Sequence, residues 1–248
     1  MNKGTIRFSD YQIYVRNSHA LTEEIHTAIA KKQQMTVLSM NTLKLHLGEK
    51  DAKAKKLFKQ FTHIIPDGQS VVFALRILYR LKISAISGAE FMIHLLKEAD
   101  RQNYSVFFLG SPQSLLDKVK NTIAGDFPGI HKVGYQHGYY DQNDEQSVVQ
   151  KIADFQPDLL FVAFGSPRKE MFIQQYKDTL KGTILMGVGG SYEVLVGEKK
   201  LDSVTKKLGL RWLVRTLQDP VRLFPRYAVC NTYFLYLLMS SMVHKVTK

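Results

Sequence analysis

The 248-residue chain carries 34 lysines and arginines against 22 aspartates and glutamates, a formal net charge of +12, with 45% hydrophobic and 23% charged residues. That composition excludes an intrinsically disordered chain, and the length suffices for one large domain, with or without an appendage. The single cysteine, Cys230, excludes a disulfide framework and a cysteine-rich zinc site.

The first stretch, "MNKGTIRFSDYQIYVRN", has no apolar run of signal-peptide length, so secretion is not expected and a cytosolic location fits. Met35–Met40 reads as a buried strand that ends on Ser39 and Asn41. Thr42–Phe61 reads as one helix, with Leu43, Leu47, Ala54, Leu57 and Phe61 near helical spacing. Ile64 and Ile65 form a short strand entering the turn Pro66-Asp67-Gly68. Gln69–Leu81 and Glu90–Gln102 are helical in pattern. Ser105–Leu109 ("SVFFL") is a strand that stops at Gly110-Ser111-Pro112, and a helix follows to about Ala124. The rhythm repeats with a helix at Asp144–Phe155, a strand at Leu159–Phe164, the turn Gly165-Ser166-Pro167 and a helix at Arg168–Leu180. Thr183–Val188 is a last strand running into Gly189-Gly190.

Continuous apolar strands separated by helices predict an α/β fold, a Rossmann-like, mainly parallel sheet covered on both faces. Such sheets bind ligands at the carboxyl ends of their strands. Ser39, Asn41, Asp67, Gly110, Gly165, Gly189 and Gly190 all fall there.

Several motifs are missing. Gly187-Val188-Gly189-Gly190-Ser191-Tyr192 begins like a dinucleotide fingerprint but has Tyr192 where its last glycine belongs. The chain has no phosphate-binding Gly-x-x-x-x-Gly-Lys loop, no Asp-x-Asp, no His-x-x-x-His and no Gly-x-Ser-x-Gly. No cofactor and no metal site are therefore expected. What remains is two near-copies of one turn, Gly110-Ser111-Pro112 and Gly165-Ser166-Pro167, each after a strand and before a helix. Glycine turns of this kind offer free backbone N–H groups to phosphates, which suggests a nucleotide or phosphosugar cleft.

The charge is uneven. Residues 198–248 hold ten lysines and arginines against three acids, a net +7 of the chain's +12. From about Leu208 the arginines Arg211, Arg215, Arg222 and Arg226 interleave with apolar residues, and residues 227–243 carry no formal charge. The division expected is a core over 1–207 and a basic helical appendage over 208–248. The appendage lies on an anionic membrane surface, the alternative being a terminal helix docked in the core.

The order Ser39-x-Asn41, Pro66-Asp67-Gly68, "VFFLGS", "LLFVAFGSPRKE", "GVGGSYEVLVG" and "GLRWLVRTLQDPVRLFPRY" resembles the WecG/TagA/CpsF glycosyltransferases over about residues 7–230. The resemblance implies metal-independent, inverting transfer of a sugar from a UDP-sugar to an undecaprenyl-diphosphate-linked acceptor at the cytoplasmic membrane face, in cell-surface polysaccharide synthesis. It implies Asp67 as general base, Asn41 as its polar partner, and Ser39 where the family often has threonine. The donor site then gathers Gly110, Ser111, Gly165, Pro167, Arg168, Glu170, Gly189 and Gly190, and the four tail arginines face the acceptor's phosphates.

Four positions depart from the family pattern. Pro167-Arg168-Lys169-Glu170 stands for Pro-Lys-Gln-Glu, and Ala85-Ile86-Ser87-Gly88 lacks the arginine of Arg-x-x-Gly. Arg211 replaces the glutamate of Gly-Leu-Glu-Trp, and no Arg-Ala-Pro element precedes the tail. Two other readings stay open: a basic nucleic-acid-binding protein, and a family member that binds sugar nucleotide or lipid without turnover. The first predicts cations spread along one face among stacking aromatics, whereas here they concentrate beside an apolar tail, so a nucleic-acid partner is not expected. A homo-oligomer is compatible with the sequence.

Overall fold

The computed structural model describes residues 4–199, 224, 228, 229 and 232–240. In chain order its elements are β1 (Thr5–Phe8), β2 (Tyr11–Tyr14), α1 (Ser18–Ala30), β3 (Met35–Met40), α2 (Thr42–Lys50), α3 (Ala52–Lys59), β4 (His63–Pro66) and α4 (Gln69–Tyr79). There follow α5 (Gly88–Gln102), β5 (Val106–Gly110), α6 (Gln113–Asp126), β6 (Val133–Gln136), α7 (Glu145–Phe155), β7 (Leu159–Ala163), α8 (Arg168–Tyr176), β8 (Ile184–Gly187) and α9 (Ser191–Leu195).

The eight strands form one sheet in the order β1-β2-β4-β3-β8-β7-β5-β6. Only β1 runs antiparallel; the other pairings are parallel. Alternation along the strands explains why they read as unbroken apolar runs. In β7, Leu160 and Val162 enter one core while Leu159 and Phe161 enter the other, and Phe107 and Phe108 of β5 divide in the same way. Helices α2, α3, α4, α7 and α8 cover the first core, and α1, α5, α6 and α9 the second. The mainly parallel sheet covered by helices on both faces, expected from the sequence, is therefore present.

The details differ in two places. The expected single helix over 42–61 is two helices. At Asp51 the backbone turns extended, with φ −128° and ψ 108°, and its side chain accepts from Lys53 N at 2.8 Å to cap α3. Gly48 sits one turn earlier because a Cβ there would strike the Tyr11 hydroxyl. The second difference is the β1–β2 hairpin, which adds an edge that the strand pattern did not give. Its two-residue loop places Ser9 at φ 53°, and β2 docks parallel to β4 through Ile13 and Ile64.

Residues 232–240 are helical. Phe234 and Leu238 are buried in the first core, and the Tyr233 ring meets His46 of α2 edge-on, centroids 5.0 Å apart. This part of the appendage thus rests on the body of the protein. Among the described residues no helix is long and apolar enough to cross a membrane. Arg211, Arg215, Arg222 and Arg226, and the boundary expected at 207/208, lie outside the described residues.

Candidate active site

The site forms where the chain order of the sheet reverses. Strand β3 lies between β4, the next in sequence, and β8, the last, which makes its carboxyl end the topological switch point where sheets of this kind bind ligands.

On the β3–β4 side, Met40 pairs in register with Pro66, so Asn41 and Asp67 are the next residues on adjacent strands. Asp67 N donates to Met40 O at 2.8 Å, and Ile86 N donates to Pro66 O at 2.9 Å, which fixes both loops to the sheet. Asn41 caps α2: its Oδ1 accepts from Lys44 N at 3.1 Å. The start of α5 closes the group from above. A Cβ on Gly88 would stand 2.7 Å from Ser39 Oγ and 3.7 Å from Asp67 Oδ2, so a side chain there would displace the Ser39 hydroxyl. Ser39 is buried, and its hydroxyl has no hydrogen-bond partner among the described residues. Buried hydroxyls are normally paired.

Beneath this rim lies a buried ion triad. Glu170 Oε1 is 3.2 Å from Lys44 Nζ and 3.1 Å from Lys169 Nζ, with the three side chains 1%, 7% and 8% exposed respectively. These are close charge contacts rather than aligned hydrogen bonds, since Oε1 has no hydrogen-bond partner of good geometry. Glu170 Oε2 accepts from Ser166 Oγ at 3.0 Å, and Lys44 Nζ donates to Ser39 O at 2.6 Å. The triad therefore ties the end of β3 to the turn after β7. Burial alone would raise the Glu170 carboxyl, but Lys44, Lys169 and the Ser166 hydroxyl outweigh it and hold the group below its usual range. Burial, and then the Lys44 charge, push Lys169 down from 10.5 to about 8. With both lysines protonated the triad carries one excess positive charge.

The β5 and β7 turns meet on the other flank. Gly138 N donates to Ser111 O at 3.0 Å, and Arg168 Nη1 donates to Gly138 O at 3.3 Å. The Arg168 guanidinium lies 4.4 Å from the Phe164 ring centroid and 5.6 Å from that of Tyr140. Gly110, at φ 110°, packs so tightly on Ala163 that a Cβ would meet its backbone. Gly165 and Pro167, joined through a cis Ser166–Pro167 bond, lead into α8, whose first residue is Arg168. At the end of β8, Val188 N donates to Val162 O at 2.9 Å and Gly189 adopts φ 52°. Gly190 precedes α9, anchored by Tyr192, whose buried hydroxyl donates to Phe161 O at 2.8 Å.

Ser39, Asn41, Asp67, Gly110, Ser111, Gly165, Pro167, Arg168, Gly189 and Gly190 thus lie at the carboxyl ends of the strands, the four tail arginines lie outside the described residues, and one residue differs in kind. Glu170, expected to contact substrate, is buried and neutralised by two lysines. The sequence reading did not anticipate Lys44 or the burial of Lys169, because lysine is rarely buried and its position in the pattern carries no sign of it. Gly138 and Tyr140 were also missed. Among the described residues no three His, Cys, Asp or Glu side chains converge as metal ligands.

A doubly covered, mainly parallel sheet with polar turns gathered at its carboxyl rim is the arrangement in which α/β proteins bind ligands. Residues 6–248 match the profile of the Glycosyl transferase WecG/TagA/CpsF family, and the chain belongs to that family. It is 35% identical over 160 residues to an N-acetylglucosaminyldiphosphoundecaprenol N-acetyl-beta-D-mannosaminyltransferase of Bacillus spizizenii, covering 64% of this chain and 62% of the relative. A protein of the same name from Staphylococcus aureus strain MW2 is 35% identical over 165 residues, covering 66% of this chain and 64% of the relative. The chain thus spans somewhat under two thirds of the curated relatives it matches.

Proposed function

We propose that this protein moves a sugar from a UDP-sugar to a sugar linked to undecaprenyl diphosphate, with inversion, at the cytoplasmic face of the membrane in cell-surface polysaccharide synthesis. The relatives' names support the acceptor class and make UDP-N-acetylmannosamine the first donor to test. The observation that carries the reading is the convergence of Ser39, Asn41 and Asp67 with the start of α5 at the sheet's switch point.

In this mechanism the Asp67 carboxylate accepts the proton of the acceptor hydroxyl as that oxygen attacks the anomeric carbon. The bond to UDP breaks on the opposite face of the sugar, which inverts the anomeric centre. Asn41, whose Oδ1 is committed to the α2 cap, presents its amide N–H groups to the sugar or acceptor. Ser39 donates its unpartnered hydroxyl in the same place. Departing diphosphate charge is met by the backbone N–H groups of the Gly110-Ser111, Gly165 and Gly189-Gly190 turns, by Arg168, and by the excess charge of the Lys44–Glu170–Lys169 triad. Arginines 211, 215, 222 and 226 hold the acceptor's phosphates and the anionic membrane surface.

The test is UDP release from a panel of UDP-sugars with a short-chain lipid-diphosphate acceptor. Acceptor-dependent release from at least one donor is expected. Binding without release would leave a family member that has lost turnover.

A further inference from the structure

Six exposed large apolar side chains stand on three helices that share one side of the sheet. Phe73 and Ile77 are on α4, Met171 on α8, and Leu235, Tyr236 and Met239 on the 232–240 helix. All three helices pack on the first core. Helices α1, α5, α6 and α9, over the second core, expose none among the described residues.

Within that side, α4 has a pattern of its own. It buries Val71, Val72, Ala74, Leu75 and Leu78 and turns Phe73, Arg76 and Ile77 outward, and Arg80, exposed, caps its end in the left-handed conformation at φ 53°. The three on the helix fall at i, i+3 and i+4, one stripe of its surface. Phe73 is 53% and Ile77 40% exposed, far more than core-facing residues require. Just beyond the helix, Lys82 joins Arg76 and Arg80 around a shallow hollow floored by Ile83. Arg76 is pinned there, donating from Nε and Nη2 to Ile83 O at 3.0 and 2.6 Å. Residues 68–89 contain these three cations and no aspartate or glutamate. The helix itself begins at Gln69, two residues after Asp67.

We infer that the outer stripe of α4, Phe73, Arg76 and Ile77, together with Arg80 and Lys82 just past its end, docks on an anionic lipid surface and so sets the rim of the site against the membrane. Cations flanking apolar side chains on one helical face suit headgroup phosphates and the acyl boundary below them. A second copy of the chain is the poorer occupant, since a two-fold contact through this stripe would oppose like charges. This contact belongs to the protein's core and is distinct from the arginines of the C-terminal segment. Its readout is lipid binding, so it stands or falls separately from the transferase reading.

The experiment compares the full chain with Arg80→Gln/Lys82→Gln and Phe73→Ser/Ile77→Ser in co-sedimentation with vesicles of phosphatidylcholine alone or with phosphatidylglycerol, at low and high salt. Thermal melts check the fold, and sedimentation equilibrium reads self-association. The charge variant should bind the anionic vesicles roughly 30-fold more weakly, about fivefold for each cation lost at a lipid surface. The apolar variant should weaken binding while keeping its salt dependence. Millimolar inorganic phosphate should not release the wild-type protein; release would make the stripe a simple phosphate site and overturn the inference. Wild-type vesicle binding by both folded variants would overturn it too. So would variants that change self-association and leave vesicle binding unaltered.

Discussion

Replacing Lys169 with methionine tests the buried triad directly. Below pH 8 the folded protein holds a proton on Lys169 at a site that disfavours it, while the unfolded chain holds that proton to 10.5. Between those values the unfolded chain binds more protons than the folded one, so stability rises with pH. The full displacement corresponds to about 3 kcal/mol at 1.36 kcal/mol per pH unit. The rise runs from about pH 8 to 10. Above that, the buried tyrosines Tyr11, Tyr135 and Tyr140, pushed up to about 12, stay protonated while unfolded tyrosines ionise, and stability falls again. Lys169→Met removes the excess charge and leaves the Lys44–Glu170 pair balanced. It should raise stability near pH 7 by up to about 3 kcal/mol, roughly 6–12 °C in Tm for a chain of this size, and flatten the rise between pH 8 and 10. Denaturant titrations of both proteins from pH 6.5 to 10 measure this. A wild-type stability flat across that window, with no gain in the variant, would refute the argument that Lys169 is charged at the expense of the fold.

Glu170→Gln has the opposite sign, since it leaves two ammonium groups buried 3.2 and 3.1 Å from a neutral amide; a loss of about 3–5 kcal/mol is expected by chemical denaturation. Gly88→Ala places a methyl 2.7 Å from the Ser39 hydroxyl, which can rotate away. Its stability should stay within about 1 kcal/mol of wild type, since alanine favours the helix, while UDP release falls at least about tenfold as Ser39 and Asp67 are disturbed. Transfer should survive EDTA, because cations and backbone N–H groups meet the diphosphate in the proposed mechanism. A loss restored by Mg²⁺ or Mn²⁺ would place a metal there.

Much of the rim was legible in the sequence. Strands such as β5 and β7 are buried on both faces and read as unbroken apolar runs, so the turns that follow them could be placed at the carboxyl edge. Ser39, Asn41 and Asp67 were legible for the same reason. The β1–β2 hairpin was not, because each strand has four residues and its Ser9-Asp10 turn carries neither glycine nor asparagine. The break at Asp51 was missed because local capping by a side chain interrupts an otherwise periodic run. Glu170 shows the deeper limit. A charge in sequence reads as surface or ligand contact, and only the tertiary fold reveals that Lys44 and Lys169 meet it in the interior. The strand order, which sets the switch point between β3 and β8, is likewise a long-range property that no local pattern encodes.

The central claim is that the carboxylate beside the β3–β4 rim is the base of a sugar transfer. It is tested most directly by UDP release from wild type and Asp67→Asn, using the same UDP-sugar and lipid-diphosphate acceptor, with UDP affinity and melting measured alongside. The account predicts unchanged folding and UDP binding and a loss of turnover of ~10²–10⁴-fold, the range for a positioned general base. Wild-type turnover by the folded Asp67→Asn protein would contradict it.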